Sequence, residues 1–493
     1  MNPRPADPDL ARAIHRDTLL QVSRRTFLTR SAAGLGSVWL AQRGFAAAGS
    51  VARDPARPAA ALPPLFPGRA KRVIYLHMAG APSQLELFDY KPELARLNDR
   101  DCPKAFLEGK RFAFIRGIPQ LLGPQYPFHR ERRTGQWISD RLPHLEQMLH
   151  RVCLVKSMTT DQFNHAPAQL MAHTGSQNLG AASVGSWVLY GLGSENENMP
   201  GFVVLLSGGQ NPDAGKNVWG SGFLPGVYQG VQCRGEGDPV LYLSDPAGVN
   251  RELRGGVVDA VKRINQRAYQ RVGDPETVTR IAQYEMAFRM QLAASEALDI
   301  SREPDAVHRR YGTQPGRESF ANNCLLARRL VERGVRYVQL FDWGWDQHSG
   351  LDTEFPKKCR GLDQPAAALL ADLEERGLLD ETLVVWGGEF GRTPMQENRG
   401  GVKARSPGRD HHPFAFTIWL AGGGVKGGTS YGATDELGFQ VVENPVQTQD
   451  LHATLLHALG FQHEKLTYPV AGGLNTRLTT VTKKATVLRD IFA

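Results

Sequence analysis

Six short apolar runs, spread along the chain, constrain its fold more than any other feature. They are Lys71–Met78, Arg151–Ser157, Gly201–Leu206, Val335–Phe341, Thr382–Trp386 and Ala415–Leu420. Continuous apolar runs of this length, several bounded by glycine, read as strands covered on both faces of a sheet. Helix-like segments separate most of them, which predicts an α/β chain with a doubly wound, mostly parallel sheet flanked by helices. From about 245 to 333 no strand-like run intervenes. The spacing of Val257, Val261 and Ile264, and of Leu325, Leu326, Leu330 and Val331, predicts a mainly helical elaboration there. Further helices are expected over Asn164–Gly175, with Asn164 as cap, over about Asp363–Arg376, and over Asp450–Gly460, with an aspartate cap and a glycine stop.

The polar residues that follow these runs share one position. His77, the Asn164–His165 turn, Asp346 with His348, and Glu389 all come just after a predicted strand. In a parallel sheet those strand ends meet along one edge, so residues distant in sequence converge on one cleft. Gly387 and Gly388 let the chain turn sharply before Glu389. Gly408–Pro413 adds Asp410, His411 and His412 just before the last run. Carboxylate oxygens with imidazole nitrogens suit zinc, manganese or iron, and suit calcium less well. The metal candidates are therefore Asp346, His348, Glu389, Asp410, His411, His412 and His77. The start of the helix at Asn164 and His165 offers free backbone N–H groups to an anion. Each residue alone also has a plain structural reading: Glu389 paired with Arg392 and Arg409, His77 packed in the core, the other histidines on loops.

The first 48 residues stand apart. Ser23-Arg24-Arg25-Thr26-Phe27-Leu28, a weakly apolar stretch and the small residues Ala46–Ala48 match a twin-arginine signal peptide. This predicts a bacterial protein exported by the twin-arginine machinery to the periplasm or outside. Residues 49–70, rich in Pro, Ala and Arg, read as a linker, and 71–493 as one α/β domain. No other run approaches the roughly 20 apolar residues of a membrane span, so no transmembrane segment is expected in the mature chain. Half of the formal net charge of +8 lies in the signal segment, which carries seven arginines against three aspartates. The remaining basic residues are dispersed, which excludes a nucleic-acid footprint. Five scattered cysteines make no disulfide framework, although one bridge is possible.

Several segments carry a family resemblance: IYLHMAGAPSQLELFDYKP, NHAPAQLMAHTG, GSWVLYGLGSENENMPGFV, LVVWGGEFGRTP, GRDHHPFAFTIWLAGGGVKGG and DLHATLLHALG. Together they resemble the family catalogued as domain of unknown function 1501, itself distantly similar to the alkaline phosphatase and sulfatase superfamily. The resemblance implies an alkaline phosphatase-like sheet with a metal site for cleaving phosphate or sulfate esters. Within it, His165 falls on the sulfatase nucleophile position, Glu389 on a metal carboxylate and His411–His412 near a late histidine. No Ser, Thr or Cys occupies the nucleophile position, and no acidic pair follows the first strand. The expected function is thus an exported metal-dependent hydrolase of sulfate or phosphate esters, using a metal-activated water. Asn164 and His165 would contact the anionic small-molecule or glycan ester, and Arg392 or Arg409 would stabilise its charge. The competing expectation is a non-catalytic envelope protein that binds anionic glycans through the same cleft.

Overall fold

A computed structural model describes residues 57–110, 112–234, 250–272, 275–399, 405–470, 474–479 and 484–493. The predicted twin-arginine signal and the first part of the predicted linker lie outside the described residues. All six predicted strands form, each within two residues of its expected ends. They are β1 (Arg72–Ala79), β2 (Val152–Thr159), β3 (Phe202–Ser207), β5 (Tyr337–Trp343), β6 (Thr382–Gly387) and β7 (Phe416–Ala421). Three short strands join them: β4 (Val231–Cys233), β8 (Thr429–Tyr431) and β9 (Val446–Gln447). Strands of two or three residues are too short to show a period in the sequence.

The nine-stranded sheet runs in the order β8-β2-β7-β6-β1-β5-β3-β4, with β9 also pairing β2. Strand β7 alone runs against its neighbours, antiparallel to both β2 and β6. This reversal has a direct consequence for the site. The amino end of β7, where Asp410, His411 and His412 enter, lies on the same sheet edge as the carboxyl ends of the parallel strands.

Alternate residues of β1 enter two separate cores. Ile74, Leu76 and Met78 face one side, packed with Phe320–Glu332 and Phe355–Glu375. Val73 and Tyr75 face the other, with Val184–Leu192 and Thr448–Ala458. Burial on both faces is why these strands lack polar alternation. His77, by the same period of two, points to the second side. The helix Phe355–Glu375 starts eight residues before its expected position and carries Pro365 inside it. The residue four before that proline is Gly361, which has no side chain to add to the crowding there. Asp450 sits one turn inside its helix as the third residue, in a capping box with Gln447.

The helical elaboration is a hairpin of Arg251–Val272 and Pro275–Leu298. Phe320–Glu332, assigned to it from sequence, instead belongs to the layer packed on β5 and β3. All five cysteines are buried free thiols, so the one possible bridge is absent. Among the described residues no helix is long and apolar enough to cross a membrane.

Candidate metal centre

The register β1 to β6 sets His77 beside Gly387. The chain then turns through Gly388, where a Cβ would lie 2.8 Å from the Cα of Ala81, and delivers Glu389 into the buried space under the cleft. Glu389 Oε1 accepts from Gly80 N (3.0 Å), Gln169 Nε2 (3.2 Å) and His165 Nδ1 (2.6 Å). Its Oε2 lies 3.3 Å from His77 Nε2. Burial works to raise its pKa, but His165 and His77 hold it well below the usual carboxylate range.

His165 opens the helix His165–Thr174, and Gln169 follows it by one turn on the same face. The second helix position predicted to bind an anion, Asn164, is exposed and makes no side-chain capping bond. With Nδ1 donating to Glu389, His165 turns Nε2 to within 3.4 Å of Asp346 Oδ2. His411 repeats the arrangement. Its Nδ1 can only donate to the carbonyl of Phe163 at 2.7 Å, and its Nε2 lies 3.3 Å from Asp346 Oδ1. His348 does so again, with Nδ1 on the carboxylate of Glu397 and Nε2 3.0 Å from Asp346 Oδ1. The imidazole pairs are close, with ring centroids 4.4 Å apart for His165 and His411 and 4.7 Å for His348 and His411.

Three imidazoles therefore spend their Nδ1 protons on outer acceptors and aim Nε2 at one carboxylate. In the neutral tautomers each Nε2 is a lone pair facing another acceptor, a repulsive arrangement that only a cation between them relieves. That cation is either a set of protons or a metal ion. His165, Asp346 and His411 have ligand atoms within 4.8 Å of one another, as one ion requires. Without metal, burial opposes charge on His165, but Asp346 and Glu389 raise its pKa to about 9. His348 is likewise raised, by Asp346 and Glu397 against burial. His411 is lowered, by burial and by the charges of Arg392 and His165. Asp346 is driven far down against the partial desolvation of its carboxylate, first by Arg392 and then by the three histidines.

The family model for proteins of unknown function DUF1501 matches residues 70–492. The chain belongs to this family. No curated protein sequence matches the chain. Solved structures similar to it include a magnesium-bound mutant of the alkaline phosphatase from the Antarctic bacterium TAB5. That match has 12% identity over 80% of this chain and 99% of that one, with a TM-score of 0.33. The PsFucS1 sulfatase from Pseudoalteromonas sp. matches at 11% identity over 80% and 68%, with a TM-score of 0.35. An alkaline phosphatase superfamily protein from Vibrio parahaemolyticus matches at 9% identity over 83% and 71%, with a TM-score of 0.32.

Within this DUF1501 chain, six predicted site residues take other roles, the first being Glu389, whose oxygens already face Gly80 N, Gln169, His165 and His77. His412 turns away from the cluster: its Nε2 donates to Phe439 O at 2.6 Å, and burial lowers its pKa to about 4. Asp410 accepts from the backbone N–H groups of Phe114 (2.7 Å), Ile115 (3.1 Å) and His411 (2.7 Å), which take three of its acceptor positions. With Glu397 it stands behind His348. These three also form a group within 4.8 Å, but Glu397 already binds His348 and Arg399 (2.7 Å). The set supports His348 and is not a second open site. Arg409 is fully buried on Glu86 and three carbonyls, so it cannot reach a substrate. Arg392 is also buried, donating to Ala81 O (2.9 Å), Arg409 O (3.1 Å), Gly80 O and Asp346 Oδ1 (2.5 Å). It fixes Asp346, and four of its five N–H groups are directed at protein acceptors. Ala81, whose carbonyl it holds, has a φ of 62°, a left-handed conformation uncommon outside glycine. His77 is a core residue under Glu389, with rings of His173 and Phe341 at 4.5 and 5.2 Å.

Two residues went unseen from sequence. Gln169 was readable as the i+4 neighbour of His165. Glu397 lies in a loop without any period and gave no signal.

Proposed function

We propose that the protein is a metal-dependent hydrolase of phosphate or sulfate esters, with His165, His348, His411 and Asp346 as the metal ligands. The observation that carries this reading is the convergence of three Nε2 lone pairs on one carboxylate. Three imidazoles and a carboxylate suit zinc, manganese or iron. A bound divalent ion supplies Lewis acidity and lowers the pKa of water to roughly 7, which replaces the missing Ser, Thr or Cys nucleophile. The chain's own residues set the geometry. Glu389, Glu397 and the Phe163 carbonyl fix the three imidazole tautomers, and Arg392 orients Asp346. The side facing solvent is marked by Asp346, about one-third exposed, and Phe163, half exposed. Asn164 and the free N–H groups of its helix face an ester anion there. Export through the twin-arginine route belongs to the same proposal, since that route carries proteins already folded around a metal.

Glu389→Gln tests the supporting shell. Loss of the carboxylate that holds His165 is expected to lower metal affinity and phosphate- or sulfate-ester turnover by roughly 10–100-fold. Protein from a native-like host should carry about one equivalent of transition metal, as a four-ligand site binds one ion. Less than about one tenth of an equivalent would sink the reading. A full metal equivalent with anionic-glycan retention but no turnover of either ester class would instead favour the binding protein.

Metal uptake by the stripped protein should release protons. His165, with a pKa of about 9 in the metal-free site, is protonated at neutral pH and must give up that proton to bind. Affinity is therefore expected to fall by about tenfold for each pH unit below 9, for this one proton. Calorimetry in buffers of different ionisation enthalpy reads the proton count directly. Zero protons released at pH 7 would mean the imidazoles are not the ligands.

A further inference from the structure

The helix Arg251–Val272 leaves one face exposed, without a partner among the described residues. At about 100° per residue, Leu253, Val257, Ala260 and Ile264 fall within an arc of about 60°. Leu253 and Val257 are 54% exposed and Ile264 is 65% exposed. The opposite face packs on the helix Pro275–Leu298. Lys262 Nζ bonds Glu285 Oε1 at 2.6 Å, and a Cβ on Gly255 would lie 3.3 Å from the Phe288 ring. The apolar stripe therefore points outward and cannot be the core side of the hairpin. Arg267 and Arg271 continue it toward the helix end, and Arg263 flanks it. All three are exposed and without an ion-pair partner among the described residues. The helix as a whole carries six basic residues against two acidic ones.

We propose that this helix lies on the surface of an anionic lipid bilayer, with Leu253, Val257 and Ile264 entering the acyl boundary and Arg263, Arg267 and Arg271 binding headgroup phosphates. A polar helix with a narrow aliphatic stripe and an excess of arginine is the pattern of interfacial membrane helices. Arginine stems reach along the apolar boundary while their guanidinium groups stay in the headgroup layer. A second copy of the chain would bring the same positive face against itself, whereas an anionic lipid surface complements it. The reading does not depend on the metal centre, which is built on the sheet edge from other elements.

The test is co-sedimentation of the full-length protein with phosphatidylglycerol/phosphatidylcholine vesicles and with phosphatidylcholine vesicles alone. Binding is expected on the anionic vesicles only and is weakened by salt. Leu253→Glu with Ile264→Glu, and separately Arg263→Glu with Arg267→Glu, should each reduce it by about tenfold or more. Thermal melts of both variants should stay at the wild-type value, because the changed residues face solvent. Equal binding by wild type and both variants would overturn the proposal. So would failure of the wild type to bind anionic vesicles. A concentration-dependent dimer in sedimentation, abolished by Ile264→Glu without any vesicle binding, would overturn it in favour of self-association.

Discussion

Asp346→Asn is expected to empty the metal centre and to lower ester turnover by at least about a hundredfold, more than any change in the supporting shell. The reason lies in what the new carboxamide offers. Among the described residues, Asp346 is the only anion that all three Nε2 atoms face, at 3.0, 3.3 and 3.4 Å. In an Asn side chain of the same shape the carboxamide oxygen must stay at the Oδ1 position, where Arg392 donates, so its NH2 group faces His165 Nε2 alone and the negative charge that would hold a cation is gone. The variant should fold, bind less than about one tenth of an equivalent of metal, and melt no higher than metal-stripped wild type, because it loses the ion pairs of Asp346 with Arg392 and protonated His165. Metal analysis and melting of both proteins with and without chelator read this out. A full metal equivalent in the Asn variant would show that Asp346 is not a ligand. A metal-free variant with wild-type turnover would separate the chemistry from the metal.

The chain's fold was legible wherever burial was complete. Strands such as Val73–Met78 and Leu383–Val385 are covered on both faces, so apolar continuity alone marks them. The candidate site was legible in part, because its residues follow strand ends, but sequence could not choose among neighbours. His411 and His412 are adjacent on a two-residue ribbon paired with Gly391–Arg392. Consecutive residues of a strand point to opposite faces, so only one of the two can look at Asp346. Which one depends on a pairing that spans the loop between them. Direction was equally hidden. Only the reversal of β7 brings residues that precede a strand to the edge where the others follow one. The arginines show the same limit from the other side. Charge near a cleft suggests a substrate clamp, whereas Arg392 and Arg409 have every hydrogen bond turned inward.

Glu86→Ala is the change expected to cost most in stability, about 3–5 kcal/mol, because it strands the Arg409 charge in the interior. Both side chains have no solvent exposure. Glu86 Oε1 accepts from Arg409 Nε (3.0 Å) and Nη2 (2.6 Å), and Oε2 accepts from Gln125 N (2.8 Å). The remaining donors of Arg409 hold the carbonyls of Leu122, Gly123 and Thr393 at 3.0 to 3.1 Å. Water cannot replace Glu86 without opening this packing. Removing the arginine as well, in Glu86→Ala with Arg409→Met, takes away the stranded charge but leaves the Leu122 and Thr393 carbonyls and the Gln125 N–H without these partners, whereas Gly123 O keeps Gln125 Nε2. The double variant should therefore recover part of the loss, with a coupling of roughly 1–3 kcal/mol in a denaturant double-mutant cycle. The damage should also reach the metal centre, since the backbone carbonyl of Arg409 seats Arg392 and Arg392 holds Asp346. Simple additivity of the two substitutions would show that the pair is not coupled. Unchanged metal affinity in Glu86→Ala would show that Arg392 keeps its position without it.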